Sequence, residues 1–209
     1  NLLVKGSGNE IIDVLTEFKP LNFNDLNPQW SGSLKGKVVL KGARSNPLYD
    51  VQLVGEKIAM LDYRADYVLL QGNTISGNRT QLIMRDVFIG DQNIEQIQTE
   101  LIGKLSDAQL QVTVQSTDFS ARSTGHLQWA ESKKIYNAQS FQIESSDFGT
   151  WQMQTIMQVQ YSNDDYRFSP LCLVNTSHNA RVCAEDTGKA IAINGSNFPL
   201  LLLEPWLNN

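Results

Sequence analysis

Gln109-Leu110-Gln111-Val112-Thr113-Val114-Gln115 is the stretch that decides the fold class of this chain. Every second residue in it is apolar. In an extended strand, Leu110, Val112 and Val114 would therefore lie on one side and the polar residues on the other. This alternation predicts a β-strand with one apolar and one polar face.

A second stretch, residues 152–161, repeats the alternation over a longer span. Met153, Met157 and Val159 belong to its apolar set, and glutamines dominate the opposite set, with Ile156 as the one exception to the period. The pattern predicts one continuous strand over this range.

Strand-like segments continue along the rest of the chain, separated by short stretches rich in Gly, Asn, Asp, Ser and Pro. Such short connections favour antiparallel hairpins, because a parallel crossover needs about a dozen or more intervening residues. Helical periodicity is confined to residues 10–18, with a possible further turn at 200–206. We therefore expect an all-β chain with at most one or two short helices. The further strands are predicted at 36–41, 51–54, 64–71, 81–84, 97–105, 119–129, 139–144, 167–174 and 189–194.

The apolar faces of these strands need partners, and the sequence supplies almost no helix to cover them. The faces must either close on one another, as in a sandwich or barrel, or stay open to another apolar material. Period-two alternation does not choose between these alternatives.

Composition narrows the classes of function. The 209 residues are 41% hydrophobic and 19% charged, with a net charge of −5 and a pI near 5.0. Nucleic-acid binding needs clustered positive charge, so we expect no nucleic-acid partner. His126 and His178 have no partner at the spacing of a zinc site or a catalytic triad, so we expect neither an enzyme nor a metal or other cofactor.

Cys172 and Cys183 flank a polar stretch and lie eleven positions apart. This spacing suits a disulfide between the two arms of a hairpin in an oxidising compartment. Two buried free thiols are the alternative.

Several motifs follow one another in a recognisable order. The first is 26–42 followed by Asn46-Pro47; the second is Ile89-Gly90 followed by 97–110. The set is completed by Phe148-Gly149-Thr150-Trp151, the two cysteines and the apolar segment at 198–207. In this order they resemble the TamB family of AsmA-like proteins over nearly the whole chain. Since the chain also starts and ends abruptly, we expect residues 1–209 to be a single segment of an extended periplasmic domain, cut from a longer protein.

This resemblance implies a long curved antiparallel sheet that forms an open, U-shaped hydrophobic groove. It also implies a periplasmic protein of a Gram-negative bacterium, anchored in the inner membrane by a helix outside this chain. Phospholipid acyl chains would occupy the groove on their way between the membranes. A TamA-like outer-membrane protein would be a partner in autotransporter assembly. The alternatives are a chaperone-like module that binds strands of nascent outer-membrane β-barrels, and a plain closed β-sandwich.

An acyl chain in water costs about 0.8 kcal/mol for each exposed CH₂, so a continuous apolar surface would stabilise it strongly. An unpaired charge on that surface would be heavily penalised. The two strongest alternating segments carry no charge on their apolar sides. The residues that we expect to line the groove are Leu110, Val112, Val114, Phe141, Ile143, Met153, Met157 and Val159.

Overall fold

The computed structural model describes residues 2–8, 11–43, 48–74, 78–90, 92–104, 106–130, 133–162, 165–188 and 190–197. Apart from one turn of 3-10 helix at Phe23–Asp25, the regular structure in these ranges consists of β-strands. The prediction of an all-β chain is confirmed. The chain divides into two compact units, one comprising Asn1–Lys104 and Ala108–Thr117, the other Leu105–Asp107 and Asp118–Asn209.

Unit 1 is an antiparallel sheet in which hydrogen-bonded neighbours follow the order of the chain. Among its described residues, the first and last strands do not pair with each other, so this sheet is open. Its strands are β1 (Leu2–Gly8), β2 (Ile11–Asn22), β3 (Ser31–Ala43), β4 (Leu48–Met60), β5 (Tyr63–Asn73), β6 (Arg79–Ile89), β7 (Gln92–Lys104) and β8 (Asp107–Gln115).

The sheet of unit 2 forks at its second strand. β10 pairs with β9 along one edge, and its other edge is shared by β11 and β12. β11 leads through β14 and β15 to β16, whereas β12 pairs with β13. The strands are β9 (Phe119–Trp129), β10 (Lys134–Ser145), β11 (Gly149–Met153), β12 (Met157–Ser162), β13 (Asp165–Phe168), β14 (Leu171–Asn175), β15 (Ala180–Asp186) and β16 (Ile191–Ser196).

The fork corrects the prediction of one continuous strand over residues 152–161. The chain leaves the sheet between β11 and β12, where Ile156 is 68% exposed. Ile156 is the residue that breaks the alternation, so the exception in the sequence marks the break in the strand. The predicted strand at 167–174 is also divided, because it contains Pro170, which has no N–H to donate to a ladder.

The helix expected at residues 10–18 is wrong, since Ile11–Asn22 forms β2. Its β-branched Ile12, Val14 and Thr16 favour an extended backbone, and pairing with strands on both sides outweighs the weak helical spacing. The helical turn expected at 200–206 lies outside the described residues.

Candidate functional site

Strand register assigns each described side chain of unit 1 to one of two faces, because directly opposite residues lie on the same side of a sheet. One face carries no Asp, Glu, Lys, Arg or His along three successive rows that cross β2 to β7. The rows are Leu21, Leu34, Gly55, Val68, Met84, Ile97; Phe18, Gly36, Leu53, Leu70, Leu82, Thr99; and Thr16, Val38, Val51, Gly72, Thr80, Leu101. We call this surface the apolar face of unit 1. At about 4.8 Å per strand, it extends roughly 24 Å across the sheet.

The reverse side of the same strands carries charged residues, although its row of Lys35, Val54, Leu69, Ile83 and Gln98 is apolar at the centre. Another row there passes through Glu17, Lys37, Gln52, Gln71, Gln81 and Glu100. Gln71 donates to Gln81 over 2.9 Å, and Arg79 forms an ion pair with Glu100. The two faces of unit 1 therefore differ in charge.

Two polar side chains at the apolar face of unit 1 are paired with each other. The Tyr49 hydroxyl, in the row next to Val51, lies 2.6 Å from the Thr80 hydroxyl. Mutual hydrogen bonding lowers the cost of placing these groups among apolar side chains.

One row of residues across unit 1 interrupts the alternation of apolar and polar side chains along the strands. Lys57, Asp66, Asp86 and Glu95 follow one another across β4 to β7, all exposed, and Lys57 and Asp86 have positive φ. The side chain of Ile58, the residue after Lys57, lies over Gly55 on the apolar face. Because the backbone is irregular in this row, the apolar residues beyond it lie again on the apolar face of unit 1.

Unit 2 also separates apolar from polar residues. β9 is regular throughout, so Ala121, Ser123, Gly125, Leu127 and Trp129 share one side of it. Residues opposite these on the neighbouring strands lie on the same side, and this holds in both branches of the fork. Its rows are Ala121, Ile143, Trp151; Met153, Leu173, Val182, Gly195; Gly125, Ala138, Met157; Leu127, Tyr136, Val159, Phe168; and Trp129, Lys134, Tyr161, Tyr166. We call this surface the apolar face of unit 2.

A β-bulge keeps the two parts of that face on the same side. The register of β10 shifts between Ala138 and Ser140, and this extra residue lets Phe141 oppose Ser123 while Tyr136 opposes Leu127. The hydroxyl oxygens of Tyr136 and Ser123 lie 3.0 Å apart, which requires both side chains to point to the same side.

The structure therefore brings five of the eight expected lining residues together. Phe141, Ile143, Met153, Met157 and Val159 all belong to the apolar face of unit 2. The other three, Leu110, Val112 and Val114, lie together on one side of β8, each half-buried. For all eight residues, the role of lining a lipid groove stays a prediction.

The largest part of the apolar surface in unit 1 was missed at the level of sequence. Val68-Leu69-Leu70 is a continuous apolar run, so its sequence does not show which side of the strand is the apolar face. Register resolves it, because Val68 and Leu70 oppose Gly55 and Leu53, whereas Leu69 opposes Val54 on the reverse side. In the sequence, the polar groups of Tyr67 and Gln71 were the signal that Leu69, which shares their side, faces away from the apolar face.

Among the described residues, no second layer covers either face within its own unit. In the part of the chain that the structure describes, strands contact chiefly the strands beside them in the sheet. Most apolar side chains stay partly exposed, and the buried hydrophobic residues are few, among them Val51, Ala138 and Trp151. Within each unit, this excludes the closed sandwich that was one alternative for the sequence.

The predicted disulfide is present. Cys172 and Cys183 are bonded directly across β14 and β15. They lie on the polar side of unit 2, since their neighbours Leu173 and Val182 occupy the apolar face.

The polar side chains form no metal-binding cluster in the described ranges. No three His, Cys, Asp or Glu side chains gather there as a metal site. His126 pairs instead with Asp107, with 3.1 Å between Nε2 and Oδ1. The same ranges hold no helix with the length and hydropathy of a membrane span.

Comparison with known proteins gives a family for this arrangement. A family model described as TamB, N-terminal domain, matches residues 1–209. The chain belongs to this family. Membership in the TamB family supports a periplasmic role of the TamB type, and the disulfide fits an oxidising periplasm. No curated protein and no solved structure shows significant similarity to the chain.

Proposed function

We propose that this chain is part of a periplasmic scaffold that carries phospholipid acyl chains along the apolar faces of its two units. The observation that carries the proposal is the absence of charge from three rows across β2 to β7, on a face that no other layer covers within the described residues of unit 1. Soluble domains normally bury so much contiguous apolar surface, and its exposure indicates a binding surface.

The energetics favour a hydrocarbon ligand. Each CH₂ that moves from water onto an apolar surface contributes about 0.8 kcal/mol. Rows of Leu, Val, Ile and Met at similar depth offer comparable environments along the sheet, so a chain can shift from row to row without a large barrier. Met84, Met153 and Met157 add flexible, polarisable contacts that adapt to different chain shapes.

Membership in the TamB family supports a wider role. We propose transport between the inner and outer membranes, with the inner-membrane anchor outside this chain and a TamA-like outer-membrane protein as partner. A role in autotransporter and outer-membrane protein assembly accompanies it. The function requires no cofactor and no catalytic residue.

The second candidate is a module that binds strands of nascent β-barrels at a sheet edge. Ile191 and Ile193 of β16 favour it, since they are 62% and 70% exposed. The edge strand β13 argues against it, because it is four residues long and carries the ion pair between Asp165 and Arg167. Short, charged strands are devices that prevent strand addition.

Photocrosslinking tests the proposal with a matched pair of variants. Met157 lies on the apolar face of unit 2, and the next residue, Gln158, lies on the polar side. A phosphatidylglycerol with a photoreactive group near the end of one acyl chain should label the wild-type 209-residue chain. Met157→Arg should reduce labelling about tenfold or more, because an arginine on this face is an unpaired charge against hydrocarbon. Gln158→Arg should label like wild type.

Circular dichroism and thermal melting show whether both variants keep the sheet. Equal labelling of both folded variants, or no labelling of the wild type, would contradict lipid binding on this face. Capture of an unfolded barrel strand without lipid labelling would favour the strand-binding module instead.

A further inference from the structure

One row of unit 2 differs in composition from the others on its face. Trp129, Lys134, Tyr161 and Tyr166 are directly opposite one another across β9, β10, β12 and β13. The Lys134 Nζ lies 4.6 Å from the centre of the Trp129 ring and 4.7 Å from that of Tyr161. Tyr161 and Tyr166 pack with their ring centres 4.7 Å apart. We call these four residues the aromatic row.

The aromatic row lies at the margin of the apolar face of unit 2. Trp129 is the last residue of β9 and Lys134 the first of β10. Trp129 is 45% and Tyr166 69% exposed. The adjacent row, Leu127, Tyr136, Val159 and Phe168, leads inward to Met157. One edge of the aromatic row therefore meets hydrocarbon-like side chains and the other meets solvent.

Lys134 is the only basic residue that register places on this face of unit 2, among the described residues. It belongs to none of the ion pairs found in that part of the chain. Two rings hold its ammonium group by cation–π contacts, and since the group has three N–H donors, at least one remains to bind an anion. The position thus offers a cation where a lipid would emerge from the apolar face.

We propose that the aromatic row binds the phosphodiester of a phospholipid whose acyl chains lie on the apolar face of unit 2. This proposal rests on the acyl-chain function and adds a headgroup site to it. Trp, Tyr and Lys side chains are the ones that occupy the boundary between hydrocarbon and headgroups in membranes, because each has an apolar body and a polar tip. The Lys134 ammonium donates to the phosphate oxygens, and the rings contact the first carbons of the acyl chains.

Two photoreactive lipids with identical acyl chains, phosphatidylglycerol and diacylglycerol, separate the headgroup from the tails. Each is presented to the 209-residue chain in phosphatidylcholine vesicles. The wild type should label about five- to tenfold more strongly with phosphatidylglycerol, as expected for a partly exposed charge-assisted hydrogen bond. Lys134→Gln should bring the ratio close to one and leave diacylglycerol labelling unchanged, whereas Lys134→Arg should retain the preference. Lys133→Gln, at the exposed residue next to it, should behave like wild type.

The outcomes separate this inference from the acyl-chain function. Equal labelling of the wild type by both lipids would overturn the headgroup site and leave acyl binding intact, whereas no labelling by either lipid would remove both proposals. A loss of both labels in Lys134→Gln would show that the lysine acts only through the fold. Displacement of phosphatidylglycerol by inorganic phosphate at constant ionic strength would assign the site to free phosphate and overturn its assignment to a lipid.

Discussion

Cys172 and Cys183 face each other across β14 and β15, with a Cα–Cα distance of 4.1 Å, on the side of unit 2 that faces away from Leu173 and Val182. The Arg181 guanidinium contacts the Cys172 sulfur at 3.3 Å on that same side. The covalent link therefore fastens the hairpin without placing sulfur or charge on the apolar face. The disulfide and the face that we propose binds acyl chains thus lie on opposite sides of one hairpin.

The first prediction follows from this separation. Replacing both cysteines with serine should lower the free energy of unfolding by about 3 kcal/mol, the loop-closure value for a link across roughly a dozen residues. Urea unfolding monitored by circular dichroism measures the change, and reduction of the wild type should reproduce it. Acyl-chain labelling at temperatures where the variant stays folded should remain at the wild-type level, and a selective loss of labelling would contradict the assignment of the two sides.

The sequence predicts a strand and its two faces well where neighbouring residues differ clearly in polarity, and poorly where they do not. In residues 109–115, apolar and polar side chains alternate without interruption, and the strand follows directly. The apolar pairs Val38-Val39 and Leu69-Leu70 put one residue on each side of the sheet, and only pairing with Val51 and Leu53 identifies the apolar side. Single-strand alternation could not determine this pairing.

The fork of unit 2 illustrates a second limit. The sequence places Met153 and Met157 in one alternating series, and both do lie on one face. They reach it from different strands, because the chain leaves the sheet between them and two strands share one edge of β10. Ile156 marks the break in the sequence, but the fork itself depends on the pairing partners of the two strands, which local propensity does not encode.

A second prediction concerns the close approach of Tyr136 to Gly125. A Cβ added to Gly125 would lie 2.5 Å from both the Asn137 carbonyl oxygen and Cε2 of Tyr136. Gly125→Ala should therefore destabilise the chain by about 1–3 kcal/mol, the usual cost of overpacking. Urea denaturation measures it. Gly90→Asn is the control, since that position has positive φ and nothing within 4 Å of the added Cβ. A change no larger than that of the control would show that both the Tyr136 ring and the Asn137 backbone shift to make room.

A third prediction concerns pH. The hydrogen bond and charge of Lys35, 2.8 Å away, lower the pKa of Glu56 from its ordinary 4.5 and raise the pKa of Lys35. Because the folded pKa of Glu56 is the lower one, the pair stabilises the folded state above the unfolded value, and this contribution is lost as pH falls through the folded pKa. Both side chains are about half exposed, so the effect should be small and weakened by salt.

Thermal melting of wild type and Glu56→Gln across pH tests this assignment. The wild type should melt slightly higher at neutral pH, and the two curves should converge in strongly acidic buffer. A difference in melting temperature that persists in strongly acidic buffer would mean that Glu56→Gln acts on stability through something other than the ion pair with Lys35. The pair lies on the reverse side of unit 1, so lipid labelling should not change between the two proteins.

The fourth prediction extends the test of the apolar surface to unit 1, where sequence alone did not identify the lining. Leu70 lies at the centre of a charge-free row between Leu53 and Leu82. Gln71, the next residue, lies on the opposite side of the sheet in the row between Gln52 and Gln81. Leu70→Lys should reduce acyl-chain labelling of peptides from β4 to β6 about tenfold or more, since an ammonium group there would have to be desolvated beside hydrocarbon. Gln71→Lys adds the same charge one residue away, on the side where Lys37 and Glu100 already lie, and should leave labelling unchanged. Peptide mapping of the crosslinks distinguishes this unit from unit 2. Similar labelling in both lysine variants would mean that lipid does not use this face, even if unit 2 binds it.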